Sequence, residues 1–318
     1  MKGENKARLK TSGSERESQM RDIVIHEVGP RDGLQVEKQT VSSESKLGWI
    51  RSLAAAGVDI VQVGSFVHPE KVPQMADTDE LFRALAASGH GRTTLSGLVL
   101  NERGLERGLA CGVEMFCLGV SASDTHSRKN TGMGSEEAQQ RIVATAKQAL
   151  ASGAKVQVSV QSAFGCGFEG PIPEERVLAI VAAYLEAGLG QISLADTAGH
   201  GHPEQVRRLF GRLATLAPEA RWTCHFHDTY GLGMANVYAA LEVGVTSYET
   251  SFAGLGGCPF TRVAAGNVAT EDFVHALQRV GRRTDIDLGA LIEVARDVVA
   301  HFGREMPGRV HKTGPISH

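Results

Sequence analysis

Eight short runs rich in β-branched residues recur along the chain, each followed by a run with helical spacing, at a repeat of about thirty residues as βα units require. The strand-like runs start at Asp22 (DIVIHEV), Val58 (VDIVQVG), Thr93 (TTLSGLVL), Met115 (MFCLGVSAS), Lys155 (KVQVSVQSA), Gln191 (QISLADT), Arg221 (RWTCHFHDT) and Ser247 (SYETSFAG). Between them lie segments such as SEEAQQRIVATAKQALASG and PEERVLAIVAAYLEAG, several opening on Ser or Pro and closing on Gly as capped helices do. Eight such units predict a single-domain α/β fold, the (β/α)8 TIM barrel, whose polar groups for chemistry gather at the C-terminal ends of the strands. A doubly wound open sheet would call for a dinucleotide-type Gly-rich turn after the first strand, where this chain has GPRDGLQ. The barrel is placed over residues 22–304, with an additional C-terminal helix around DLGALIEVARDVVAHFG. Residues 1–21 read as a disordered leader and 305–318 as a flexible tail.

Composition narrows the partners. At 318 residues, 42% hydrophobic and 22% charged, the chain suits a soluble globular protein. Its net charge is -3 and its 33 basic residues are scattered, which leaves no footprint for nucleic acid. No apolar run approaches the roughly 18 residues of a membrane span. Five cysteines, an odd number without CxxC spacing or a secretory segment, point to reduced thiols and a cytoplasmic protein. A small-molecule partner is expected.

The strand ends hold more polar residues than buried strands need. Arg31 and Asp32 follow the first, Gln62 ends the second, Asp196 the sixth, and His225 and His227 the seventh; Cys258 and Asn267 come after the eighth. On a strand, residues i and i+2 share a face, so His225 and His227 point the same way. Alone, that pair reads equally as metal ligands or as two polar residues satisfied at a strand end. Asp32 shifts the balance, because in a closed barrel strand one adjoins strand eight and lies near strand seven. Two imidazoles and a carboxylate with room for water and substrate suit Mg²⁺ or Mn²⁺, with Co²⁺ or Zn²⁺ as substitutes. Arg31 is either one half of a solvated turn or a fixed donor for a developing oxyanion. Cys258, in AGLGGCPF, is either an inert thiol in a tight turn or a proton donor on a mobile lid. His26 reads as a core histidine and Cys166 as packing. His126, Lys129 and Asn130, in SDTHSRKN, either meet substrate or face solvent.

Five stretches together, EVGPRDGLQVE, SFVHPEKVPQM, HFHDTYG, SFAGLGGCPF and GNVATED, resemble the hydroxymethylglutaryl-CoA lyase family of TIM-barrel metallolyases from about Asp22 to beyond Asp272. The resemblance implies cleavage of a tertiary 3-hydroxyacyl-CoA by retro-Claisen chemistry, with 3-hydroxy-3-methylglutaryl-CoA giving acetyl-CoA and acetoacetate. It implies Asp32, His225, His227 and Asn267 as ligands of the divalent cation. It also implies catalytic roles for Arg31, Cys258, Asp32 and His225, with Arg31, Gln35, Gln62, His126 and Asn130 meeting the substrate. Asp196 could orient a histidine or a water. A homodimer is the expected assembly.

Two departures bear on the substrate. Strand two reads QVGSF where the family carries a carboxylate in an EATSF-like pattern, so Gln62 stands in the acid's place. SDTHSRKN, with Asp124 and His126, is closer to the α-keto-acid branch of the superfamily, the isopropylmalate, citramalate and homocitrate synthases. The alternatives are therefore a citramalyl-CoA lyase, giving pyruvate and acetyl-CoA, a condensing synthase, and a lapsed metal- or CoA-binding barrel.

Overall fold

Each of the eight runs forms a strand in the computed structural model, which describes residues 23–257 and 266–316. The strands are β1 (Val24–Glu27), β2 (Ile60–Ser65), β3 (Thr94–Leu98), β4 (Met115–Ser121), β5 (Lys155–Gln161), β6 (Gln191–Asp196), β7 (Arg221–Phe226) and β8 (Ser247–Thr250). They form a closed parallel barrel in sequence order, and β1 meets β8 in register from Val24 opposite Ser247 to Glu27 opposite Thr250. The (β/α)8 expectation is met.

Helices α1 (Ser43–Ala55), α2 (Thr78–Ser88), α3 (Glu102–Ala110), α4 (Asp124–Thr131), α5 (Ser135–Ala151), α6 (Glu174–Glu186), α7 (Pro203–Leu216), α8 (Gly233–Glu242) and α9 (Thr270–Arg279) lie between and after the strands. The expected extra helix is α10 (Leu288–Phe302), followed by the short α11 (Val310–Thr313). Side-chain caps start several of them: Ser42 accepts from Ser45 N before α1, Asn101 from Gly104 N before α3 and Asp287 from Ala290 N before α10. Most of the helices present an apolar stripe to the barrel; α4 is an exception, burying His126 and Ser127. In α7 the buried set is Val206, Leu209, Phe210 and Leu213, spaced i, i+3, i+4, i+7, and each such side chain contributes about 1.5–3 kcal/mol when fully buried. Among the described residues no helix is long and apolar enough to cross a membrane.

The barrel interior is polar. His26 on β1 bonds Ser96 on β3 at 2.9 Å, Gln157 on β5 donates to Glu249 on β8, and Thr223 on β7 donates to Gln157. Side chains from strands that are not neighbours can meet only inside the closed sheet, so these positions face inward. A barrel of this kind is more often filled by branched apolar residues. Here the apolar core lies between strands and helices, and the interior is given to hydrogen-bonding groups. At the N-terminal end Arg283, fully buried, bonds Ile23 O, Asp59 and Asp285, tying the segment after α9 to the entries of β1 and β2.

The proposed leader, 1–21, lies outside the described residues. In the segment read as a flexible tail, Met306 and Val310 are buried and Asp272 accepts from the N–H groups of Arg309 and Val310. His311 bonds Glu271 at 3.0 Å.

Glu27 faces outward from β1 into a buried pocket. Its carboxyl accepts from Gly29 N at 2.7 Å, Phe252 N at 3.0 Å and the Thr270 hydroxyl at 2.6 Å. Burial outweighs these donors and the opposing effect is incomplete, so the pKa rises from 4.5 to about 8. The folded state then keeps a proton that the unfolded chain loses, and stability falls as pH rises through the window from 4.5 to 8. Glu27→Gln mimics the protonated carboxyl. Urea denaturation across that window should show wild-type stability falling by up to about 4 kcal/mol relative to the variant; equal slopes for the two proteins would contradict it.

Candidate active site

Asp32 reaches the barrel mouth because the chain makes one wide helical turn, Gly29–Gly33, directly after β1. Val28 O accepts from Arg31 N, Asp32 N and Gly33 N, and Pro30 lies where the turn has no use for an N–H. Gly29 is required there: a Cβ would lie 2.7 Å from Glu27 Oε1 and 2.9 Å from the Phe252 ring. The turn directs Arg31 and Asp32 together. Arg31 Nη1 donates to Asp32 Oδ1 at 2.5 Å, and Arg31 Nε donates to Gln62 Oε1.

His225 is the last but one residue of β7 and His227 lies directly beyond its end. Their Nε2 atoms are 3.1 Å apart, and Asp32 Oδ2 lies 3.8 and 3.9 Å from them. Asn267 arrives by backbone pairing: Asp228 N bonds Gly266 O and Val268 N bonds Phe226 O, which places Asn267 opposite His227. Asn267 Nδ2 donates to Asp32 Oδ2 at 2.8 Å and to Leu255 O, while buried Asn267 Oδ1 has no hydrogen-bond partner among the described residues. Gly256 covers this corner, and a Cβ on it would come within 2.5 Å of Asn267 Nδ2.

Glu249 fixes the tautomer of His225. The carboxylate accepts at 2.7 Å from His225 Nδ1, which must therefore carry the proton, so Nε2 of the neutral ring is a lone pair turned toward His227. Burial would raise the Glu249 pKa, but the bond from His225 and the charges of His26 and Arg31 hold it at about 2. Burial likewise opposes ionisation of Asp32, and Arg31, His225 and His227 outweigh it, holding Asp32 well below the usual carboxylate range. Two ionised carboxylates thus flank two imidazole nitrogens at contact distance. With the His225 lone pair facing it, His227 Nε2–H donates across the 3.1 Å gap, and the grouping of Asp32, His225 and His227 within 4.8 Å fits a divalent cation in that proton's place.

A cavity of about 520 Å³ opens over this cluster. Arg31, Asp32, Gln35, Gln62, His126, Asn130, His225 and His227 all line it, so the structure brings these candidates together, and Asn267 joins through Asp32. Gln35 also donates to Asp32 at 3.3 Å. Cys258 lies outside the described residues. Buried His126 sits in α4, held by the Ser123 cap, with its pKa lowered by burial against the pull of Glu169. His26 is a core histidine, bonded to Ser96 and brought to about 4 chiefly by burial. Cys166 packs against Ser123, its thiol 3.0 Å from the hydroxyl.

Asp196 has another task than orienting a histidine. Its carboxylate accepts from His200 N at 2.8 Å and Gly201 N at 2.9 Å, shaping the loop after β6. The group that holds His225 is Glu249, which sequence reading passed over because its only mark was an acid at an inward position of SYETS. Gln157 was missed as well, a single amide at an inward position of KVQVSVQ.

A family model described as HMGL-like matches residues 22–298. The (R)-citramalyl-CoA lyase of Chloroflexus aurantiacus is 39% identical over 93% of this chain and 96% of its own. The hydroxymethylglutaryl-CoA lyase of Pseudomonas mevalonii is 38% identical, over 89% of this chain and 94% of its own. An HMG-CoA lyase from Acinetobacter baumannii, solved with coenzyme A and 3-methylmalate, superposes with a TM-score of 0.88 at 37% identity, covering 93% of this chain and 97% of that one.

Asp196→Ala leaves two buried N–H groups without their acceptor. Urea denaturation should show a loss of about 2 kcal/mol; a change below about 0.5 kcal/mol would mean that the loop is held by other contacts.

Proposed function

The chain belongs to the HMGL-like family, whose relatives named above are lyases, and on that premise we propose that it cleaves a tertiary 3-hydroxyacyl-CoA thioester by retro-Claisen chemistry with a divalent cation. The observation that carries this reading is the convergence of Asp32, His225 and His227 beside Arg31 at one barrel mouth. Two substrates fit it. One is 3-hydroxy-3-methylglutaryl-CoA, giving acetyl-CoA and acetoacetate. The other is citramalyl-CoA, giving acetyl-CoA and pyruvate, and the 39% identical relative favours weighing it equally.

Asp32, His225, His227 and the Asn267 amide oxygen would hold the cation, Mg²⁺ or Mn²⁺ before Co²⁺ or Zn²⁺. When bound, it supplies a Lewis acid for the substrate's hydroxyl and carbonyl oxygens. The tertiary hydroxyl gives up its proton to Asp32, which keeps a second carboxylate oxygen besides the one that would meet the cation, while His225, with Nδ1–H held by Glu249 and Nε2 turned to the cluster, acts as a ligand. The C2–C3 bond then breaks, its electron pair passes to the thioester as an enolate, and the carbinol carbon becomes a ketone. The Arg31 guanidinium, fixed by Gln62 and Asp32, is the donor set for that enolate oxygen. By the family resemblance, Cys258 in its glycine-rich segment would return a proton to C2 and complete acetyl-CoA. Gln35, His126 and Asn130 would contact the acyl-CoA. The catalytic unit is residues 22–304, and a cytoplasmic homodimer is the form expected from the sequence.

Purified protein with Mn²⁺ should release acetyl-CoA from at least one of the two thioesters; no turnover of either above background would sink the reading. His227→Ala should weaken Mn²⁺ binding at least 10-fold by calorimetry, on the order of the effect of disturbing a metal site's support. Cys258→Ala should leave Mn²⁺ affinity unchanged and lower kcat by about 10²-fold or more.

A further inference from the structure

The charges around the cavity are unevenly placed. Its acids are Asp32 and Glu249, gathered about His225. On the side of β2 and β4 the lining comes from Gln62, Lys71, His126 and Asn130, with Arg31 between these residues and Asp32. That side carries donors and no carboxylate.

Gln62 lies deepest in it, 1% exposed on β2. Its Oε1 accepts from Arg31 Nε, and Arg31 Nη1 in turn donates to Asp32, so the amide stands one guanidinium away from the metal-binding carboxylate. A glutamate of the same length would pair with Arg31 and claim its charge. The amide leaves that charge shared with Asp32 alone, and it adds N–H donors where a carboxylate has none.

We propose that Gln62 is a specificity-determining residue that selects acyl groups bearing a carboxylate directly on the carbinol carbon, as in citramalyl-CoA, over those with a methylene between the two. The proposal rests on the lyase reading above and names the substrate class within it. With the carbinol hydroxyl facing the Asp32, His225 and His227 cluster and the thioester arm leaving toward the cavity mouth, the carboxylate of the enantiomer that the site takes is directed at Gln62 and Arg31, and no rotation within the acyl group can move its carbon relative to the carbinol carbon. A negative charge at residue 62 would then lie against it, and a like-charge contact in a desolvated site costs several kcal/mol. With a methylene inserted, one more rotatable bond lets the carboxylate turn elsewhere, so that substrate escapes this contact.

The test uses full-length protein loaded with Mn²⁺, both thioesters, and the variants Gln62→Glu and Gln62→Met, with melting temperatures as the folding check. Wild type should favour citramalyl-CoA in kcat/KM by about tenfold or more; Gln62→Glu, by drawing on Arg31, should lower kcat/KM for both thioesters but lower the ratio of citramalyl-CoA to 3-hydroxy-3-methylglutaryl-CoA by a further factor of about 100. Gln62→Met, which loses the donors without adding charge, should lower the citramalyl-CoA value by about tenfold. If Gln62→Glu does not fold, the Gln62→Met ratio decides. A folded variant set whose substrate ratio stays within about twofold of wild type overturns the proposal and leaves the lyase reading standing. If wild type cleaves neither thioester, both fall.

Discussion

The parallel pairing of β1 with β8 closes the barrel, and the site exists only because of that closure. Asp32 stands five residues beyond the end of β1, whereas His225 lies in β7 and His227 just past its end, some two hundred residues on in the chain. The in-register contact from Val24 and Ser247 to Glu27 and Thr250 brings these ends together and fixes their height on the barrel. The buried Glu27 carboxyl then ties the same corner from outside, bonding the Gly29 turn, Phe252 and Thr270 at once. One pocket therefore joins the turn that presents Asp32 to the segment that presents Asn267.

Closure also determines what the interior can hold. With the apolar side chains committed to the layer between strands and helices, the inside carries His26, Ser96, Gln157, Thr223 and Glu249 in mutual contact. Buried polar groups are tolerated when they are partnered. This network has a chemical consequence: it keeps Glu249 ionised against His225 Nδ1 and turns Nε2 toward the cluster. Metal affinity and barrel packing are in this way one structural problem, since a change at Gln157 is felt at Glu249 and then at His225.

The asymmetry of the cavity follows from which strands contribute. Both acids come from the β1 and β8 side, and the donors from β2, β4 and the helix after β4. Residues for cation chemistry and the proposed contacts to an anionic acyl group thereby come from different strands, with Arg31 bonded to Asp32 on one side and Gln62 on the other.

The periodicity of eight βα units was enough to determine the barrel, because alternating strand and helix runs of that length have few other ways to bury their apolar faces. The HxH pair, the PRDG turn and the Gly-rich run were legible as chemistry because each places a reactive side chain next to residues that force its backbone. Sequence could also mark Gln62 as a neutral residue in an acid's place. It could not assign Glu249 to His225, or withdraw Asp196 from that task, because both are single acids at strand positions and only register decides which way each one faces. Nor could it show that Asn267 reaches His227, since that contact is made by backbone hydrogen bonds between segments forty residues apart in sequence, whose side chains leave no trace of it. What tertiary structure alone decided is the set of neighbours: side-chain chemistry is written locally, but the charges that set its protonation come from other strands.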